Sequence, residues 1–191
     1  MASGAGVLWV SSTIVDPSNL SVEAFDDWYE NDHALEVLAL PGVPSAIKYK
    51  SLDPNSSAPN LITYEFPSLA YTASPEFTAV ASQTPPPELV SKIYANTSFD
   101  IRFYSELPTP SPPHPSPHDP EVDLKLASIA LSPVSGRESE FLLWFAKDLA
   151  EGLSSVEGLV AKGGLSSAKV GWYGVKRVWA EGDVQKADEA P

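Results

Sequence analysis

Residues 107–121, LPTPSPPHPSPHDPE, hold seven prolines in fifteen positions. Each proline fixes φ near −65° and lacks a backbone N–H, so neither a helix nor an interior strand runs through this stretch. It reads as a stiff, extended linker of polyproline type. It divides the chain into an N-terminal half, 1–106, and a C-terminal half, 122–191, that ends in a polar tail. His114 and His118 lie inside it, four positions apart. That spacing brings two ligands together only on a helix, so no metal site is expected there.

Before the linker the pattern is β-α-β-β-α-β. Residues 7–15 are rich in β-branched side chains and end at Asp16-Pro17, which predicts a strand. Ser21 has the chemistry of an N-cap, and Leu20 and Phe25 stand at the two positions of a hydrophobic staple. The helix is expected to run to about Leu40 and stop at Pro41-Gly42. Residues 45–52 and 61–66 read as strands, 75–82 and 87–94 as short helices around a triple proline, and 99–104 as an alternating strand.

After the linker the pattern restarts, with a strand at 124–131 and an apolar helix at 141–153. Phe25 and Phe141, Trp28 and Trp144, Tyr29 and Phe145, and Asp32 and Asp148 are each 116 positions apart, as are Pro17 and Pro133, and Gly42 and Gly158. Six matches in one register point to a duplication. A glycine-rich insertion then precedes a strand at 174–180, and the chain is too short to complete the second copy.

Charge narrows the partners. A formal net charge of −13 repels nucleic-acid phosphates and anionic lipid, so neither is expected as a partner. With no cysteine there is no disulfide, thiolate ligand or thiol nucleophile. The start, MASGAGVLWVSSTIV, has no basic leader and reads as a strand rather than a signal peptide, and no segment is apolar enough to span a membrane; a cytoplasmic protein is the expectation. Glycine-rich phosphate cradles, metal-ligand spacings and a nucleophile elbow are not found, so no cofactor and no metal are expected.

His33 is the single histidine outside the linker. An imidazole both takes and gives a proton near neutrality. On a helix Tyr29 and Val37, four residues to either side, share its face, an apolar setting that favours the neutral base. Asp32 points about 100° away and orients it poorly. The competing reading is a core histidine bonded to a backbone carbonyl. Trp28 and Tyr29, at helical spacing, suit core packing or a wall for a flat ligand. Trp9, Ser11 and Thr13 share one face of the first strand, with Tyr49, Tyr64, Arg102 and Tyr104 on the others. An arginine facing tyrosines in an apolar cavity polarises a carbonyl or binds a carboxylate; at a strand end it pairs with Asp100 or Glu65 instead. Asp26, Asp27 and Glu30 read as a solvated helix face.

The run FDDWYENDHALEVLALPGVPSAIKYK, residues 25–50, resembles the EthD-type signature of the dimeric α/β-barrel superfamily: an aromatic, Trp-Tyr on a helix, Asp-His, an aliphatic run, and Pro-Gly before the second strand. It looks like the tandem-repeat form common in filamentous fungi. The resemblance covers most of 7–105 and, in weakened form, 124–180. It implies an α+β fold of ferredoxin-like repeats whose antiparallel sheets form a dimeric α/β-barrel around an apolar cavity, the second repeat degenerate or truncated. A homodimer is expected to supply missing strands. The family histidine maps onto His33 and its second-half counterpart is Leu149. The function implied is that of a cofactor-independent enzyme of secondary metabolism. It would perform proton-transfer chemistry (dehydration, cyclisation, isomerisation or decarboxylation) or conformational control on a polyketide- or terpenoid-like small molecule. His33, Arg102 and Tyr64 are the expected catalytic residues. Trp9, Ser11, Trp28, Tyr29, Tyr49 and Tyr104 are the expected substrate-binding residues. The alternatives are a non-catalytic binding or stress-type barrel and a cofactor-free monooxygenase.

Overall fold

The computed structural model describes residues 4–105, 125–133, 141–146 and 165–180, with the side chains of the last three stretches given only over 173–180. The proline-rich segment with His114 and His118, Leu149, and the C-terminal tail lie outside the described residues.

Among the described residues, seven strands make one sheet: β1 (Gly6–Ile14), β2 (Ala46–Ser51), β3 (Asn60–Phe66), β4 (Thr97–Ser105), β5 (Lys125–Pro133), β6 (Phe141–Ala146) and β7 (Leu165–Trp179). Their order is β4-β1-β3-β2-β7-β5-β6, and each pairing is antiparallel. The first four strands, in the order 4-1-3-2 and interrupted by helices after β1 and β3, make an α+β unit compatible with a ferredoxin-like half.

The first helix begins as the sequence predicts. Ser21 accepts a hydrogen bond from the N–H of Ala24 at 3.2 Å. Leu20 and Phe25 are each only 1% exposed, so both arms of the staple are buried. The helix runs as α1 (Val22–Trp28), a π-helical turn (Tyr29–His33) and α2 (Ala34–Leu38). Between β3 and β4 come a 3-10 turn (Leu69–Ala73), α3 (Pro75–Ala81), α4 (Pro87–Lys92) and a second 3-10 turn (Tyr94–Asn96). Prolines open α3 and α4 at positions where their missing N–H costs nothing.

Strand alternation sends residues to two faces. Leu8, Val10, Ile62, Tyr64 and Phe66 meet Phe25, Trp28, Tyr29 and Val37 on the helix side. Trp9, Ile47, Tyr49, Leu61 and Tyr173 form a separate cluster on the other side. Full burial of one such large apolar side chain contributes about 2 kcal/mol.

The second half departs from expectation. Phe141–Ala146 is β6, paired with β5 from Ala130↔Phe141 to Lys125↔Ala146. The helix expected at 141–153 is therefore absent over its first six residues. Trp144 and Phe145 stand on a strand where Trp28 and Tyr29 stand on a helix and π turn, so those matched positions are not structural equivalents. A six-residue apolar run fits a buried strand and a buried helix equally, and pairing with β5 decides between them. Residues 165–173, expected to precede the last strand, are part of it. The fifteen-residue β7 takes in Leu165–Trp179, borders β5 over one end and β2 over the other, and ties the two halves of the chain into one sheet. Where it meets β2 the register shifts between Lys48 and Tyr49, leaving Lys176 as the extra residue of a bulge.

Candidate functional site

The site is built on the π turn. The N–H of Ala34 bonds to the carbonyl of Tyr29, five residues back. In an α-helix residues five apart lie about 140° apart around the axis; a turn closed by an i→i+5 bond brings them nearly over one another. His33 consequently stacks on Trp28, with ring centroids 5.0 Å apart and planes at 14°. It also meets Tyr29 edge-on at 5.4 Å. Tyr94 closes the other side of Trp28 at 5.7 Å. Single π turns inside α-helices recur at functional sites, because the extra residue re-aims a side chain.

The imidazole is partly covered rather than sealed: 30% of the side chain remains accessible. Its Nδ1 lies 3.5 Å from a carboxylate oxygen of Glu36, too long for a good hydrogen bond but close enough for a charge contact. Burial holds its pKa below the ordinary 6.5, while Glu36 pulls the other way. The arrangement is a neutral base with an anion placed to stabilise the cation it becomes.

Behind Tyr29 lies Tyr64, 1% exposed. Neither phenol oxygen has a well-aligned hydrogen-bond partner among the described residues. Burial pushes both phenols above their usual pKa, and each influences the other.

The acidic face of α1 is not simply solvated. Lys48, 4% exposed, donates to Asp26 at 2.6 Å and Glu30 at 2.7 Å. Arg177 of β7 donates to Glu30 at 2.8 Å. Strand alternation held the signal: Ala46 and Lys48 share the face that meets the helix, so a lysine points at those carboxylates. A small crevice opens beside this cluster, lined by Val10, Ser12, Phe25, Tyr29, Lys48 and Asn60 among others, with a volume of about 10 Å³, room for a single water. It falls below the several hundred Å³ typical of drug-sized ligand sites.

The other expected residues fall on the opposite face of the sheet. Trp9 meets Tyr104 edge-on at 6.4 Å and Tyr173 at 6.3 Å. Three strand spacings, about 14 Å in a flat sheet, separate β1 from β7. The side chains therefore lean inward and fill the middle of this face. Tyr49 is 1% exposed there, and burial raises its pKa. Ser11 shares that face and is buried. Arg102 stands on the outer strand, 45% exposed, in a two-point contact with Asp100 at 2.7 and 2.8 Å. It is the surface strand pair that the sequence allowed as an alternative. The structure thus brings His33, Trp28, Tyr29 and Tyr64 together. It sets Trp9, Ser11, Tyr49, Arg102 and Tyr104 apart from them, so the expected trio of His33, Arg102 and Tyr64 does not converge on one cavity. Tyr94 and Glu36, which sequence reasoning passed over, complete the histidine's surroundings; Glu36 stands three residues on, on the same helix face.

Among the described residues no group of three or more His, Asp or Glu side chains is placed to hold a metal, and no helix is long and apolar enough to cross a membrane. Comparison with known proteins gives no match: no protein-family model, no curated protein and no solved structure matches the chain.

Proposed function

We propose that the chain is a cofactor-independent acid–base enzyme of the EthD-like, dimeric α/β-barrel kind, acting on a small enolisable molecule of polyketide or terpenoid type. The supporting observation is the setting of His33: reachable from solvent, stacked on Trp28 and backed by Glu36, with burial holding its pKa below 6.5. A neutral imidazole with an accessible edge removes a proton from carbon next to a carbonyl. Glu36 stabilises the imidazolium that forms, and the same group returns the proton elsewhere on the substrate. Proton return at a new carbon gives isomerisation. Loss of a leaving group gives dehydration, and attack of the enolate on a second carbonyl gives cyclisation.

The test is α-proton exchange. A panel of aromatic and polyketide-like ketones is incubated with the protein in deuterated buffer and followed by NMR, alongside His33→Ala and His33→Gln. Exchange lost in both variants with the melting temperature kept supports the proposal. Exchange untouched by the substitutions, or absent from every ketone in the wild type, overturns it. Oxygen uptake during the same incubation identifies the cofactor-free monooxygenase variant.

A second reading, a non-catalytic binding barrel, draws on the packing of Trp9 between Tyr104 and Tyr173 and on the small crevice. It expects aromatic ligands to raise the melting temperature equally in wild type and in His33→Gln.

A further inference from the structure

Residues 1–47 contain no lysine and no arginine, while α1, the π turn and α2 carry Glu23, Asp26, Asp27, Glu30, Asp32 and Glu36. The sheet returns cations to one part of this surface. Lys48 is bound to Asp26 and Glu30, and Arg177 to Glu30. Among the described residues no lysine or arginine makes an ion pair with Asp27, Asp32 or Glu36. Two of those three carboxylates bracket the histidine. Glu36, 59% exposed, stands 3.5 Å from its Nδ1, and Asp32, also exposed, precedes it in the chain. The field of Glu36 extends to Tyr94 as well: burial, and after it the Glu36 charge, raises that phenol's pKa.

We propose that Asp32 and Glu36 make the His33 site selective by charge: it takes a carbonyl compound that is neutral or cationic and turns away carboxylates, phosphates and phosphate-bearing thioesters. The inference rests on His33 being the acid–base group of the proposed function, and it names the class of substrate that group can reach.

Distance decides that these charges matter. Screening acts over about 8 Å at physiological ionic strength, and a substrate carbon touched by His33 comes closer than that to both carboxylates. Two uncompensated charges at this range favour a cation over an anion by about threefold or more, even at the dielectric of water. The chemistry adds a second reason. Proton removal by His33 leaves an enolate and an imidazolium, a pair that is neutral overall, beside Glu36. A substrate that arrives with its own carboxylate sets a further anion among Asp32, Glu36 and the forming enolate, with no free cation there to oppose it. Lys48 and Arg177, the cations that approach this helix, are already held by Asp26 and Glu30.

Paramagnetic broadening on the full chain measures the local charge without any turnover. A trimethylammonium nitroxide and a carboxylate nitroxide are added separately, and line broadening is read by NMR at the His33 ring protons. The Ile101 methyl serves as the reference, because it is 60% exposed and its chain neighbours Asp100 and Arg102 are paired with each other. The cationic probe should broaden His33 about threefold or more over the anionic one, and by a larger ratio than at Ile101, which separates the local field from the net charge of −13. Asp32→Asn and Glu36→Gln, both at exposed positions, should each lower the His33 ratio and leave the Ile101 ratio in place, and high salt should bring both ratios toward one. A ratio at His33 no greater than at Ile101, or one indifferent to both substitutions, overturns the proposal. In the deuterium-exchange assay a neutral methyl ester of a keto acid should exchange faster than the parent carboxylate, and Asp32→Asn should narrow the gap; equal rates also overturn it. Exchange absent from every ketone sinks the acid–base reading, and the nitroxide ratios still decide the charge selectivity.

Discussion

His33 lies flat on Trp28, five residues earlier in the chain, with ring centroids 5.0 Å apart. The contact exists because the helix gains one residue in the turn Tyr29–His33, and it gives the imidazole an apolar floor on one side and water on the other.

This placement makes stability depend on pH near neutrality. The folded state holds the imidazole pKa below 6.5, so the unfolded chain binds the proton more readily. The histidine's contribution is therefore intact above the ordinary value and is lost as pH falls through it. Denaturant midpoints measured between pH 7.5 and 5.5 should decline for the wild type and decline less for His33→Gln. Equal slopes in the two proteins would show that the imidazole titrates as it does in the unfolded chain.

Tyr64→Phe removes a buried hydroxyl that lacks a well-aligned partner. Deleting an unsatisfied polar group of this kind is nearly neutral or stabilising, so the thermal midpoint should hold or rise. At high pH the sign is opposite for the wild type. Burial raises the phenol pKa in the fold, so the native state keeps a proton the unfolded chain gives up, and stability falls as pH climbs above 10. Tyr64→Phe should unfold at a higher pH in an alkaline titration followed by circular dichroism.

Lys48 and Arg177 both contact Glu30, yet their removal should differ in cost. Lys48 is buried against two partly exposed carboxylates, so Lys48→Ala leaves Asp26 without this partner and Glu30 with Arg177 alone, and should cost about 2 kcal/mol. Arg177, 42% exposed, should cost under about 1 kcal/mol as Arg177→Ala. Urea denaturation of the two variants gives the comparison, and equal losses would contradict the burial argument.

Gly6 opens β1 opposite Ser105, and a Cβ there collides with the backbone carbonyl of Tyr104 and the side chain of Leu69. A backbone oxygen in a paired strand cannot yield as a flexible side chain does. Gly6→Ala should destabilise by about 2 kcal/mol, in the range of other overpacking substitutions. Hydrogen exchange should show the loss first at the β1–β4 pairing.

Much of the first half is legible in local chemistry. Ser21, Leu20 and Phe25 mark the start of the first helix, Pro41-Gly42 its end, and alternation marks four strands whose bounds match within about two residues. The candidate site is only half legible. Tyr29 and His33 were expected together from helical spacing, but the stack on Trp28 depends on a π turn that no residue type announces. Asp26 and Glu30 looked like a wet surface because their partner, Lys48, is 18 or more positions away.

Local sequence determined where helices and strands of residues 7–105 begin and end, because caps, prolines and alternation act over a few residues. Only the tertiary structure decided that Phe141–Ala146 is a strand, that Tyr64 packs with Tyr29 in the helix-side core while Arg102 faces away, and that β7 joins the halves. Those outcomes depend on which backbone edge offers hydrogen bonds and which face is covered, and both are properties of partners distant in the chain.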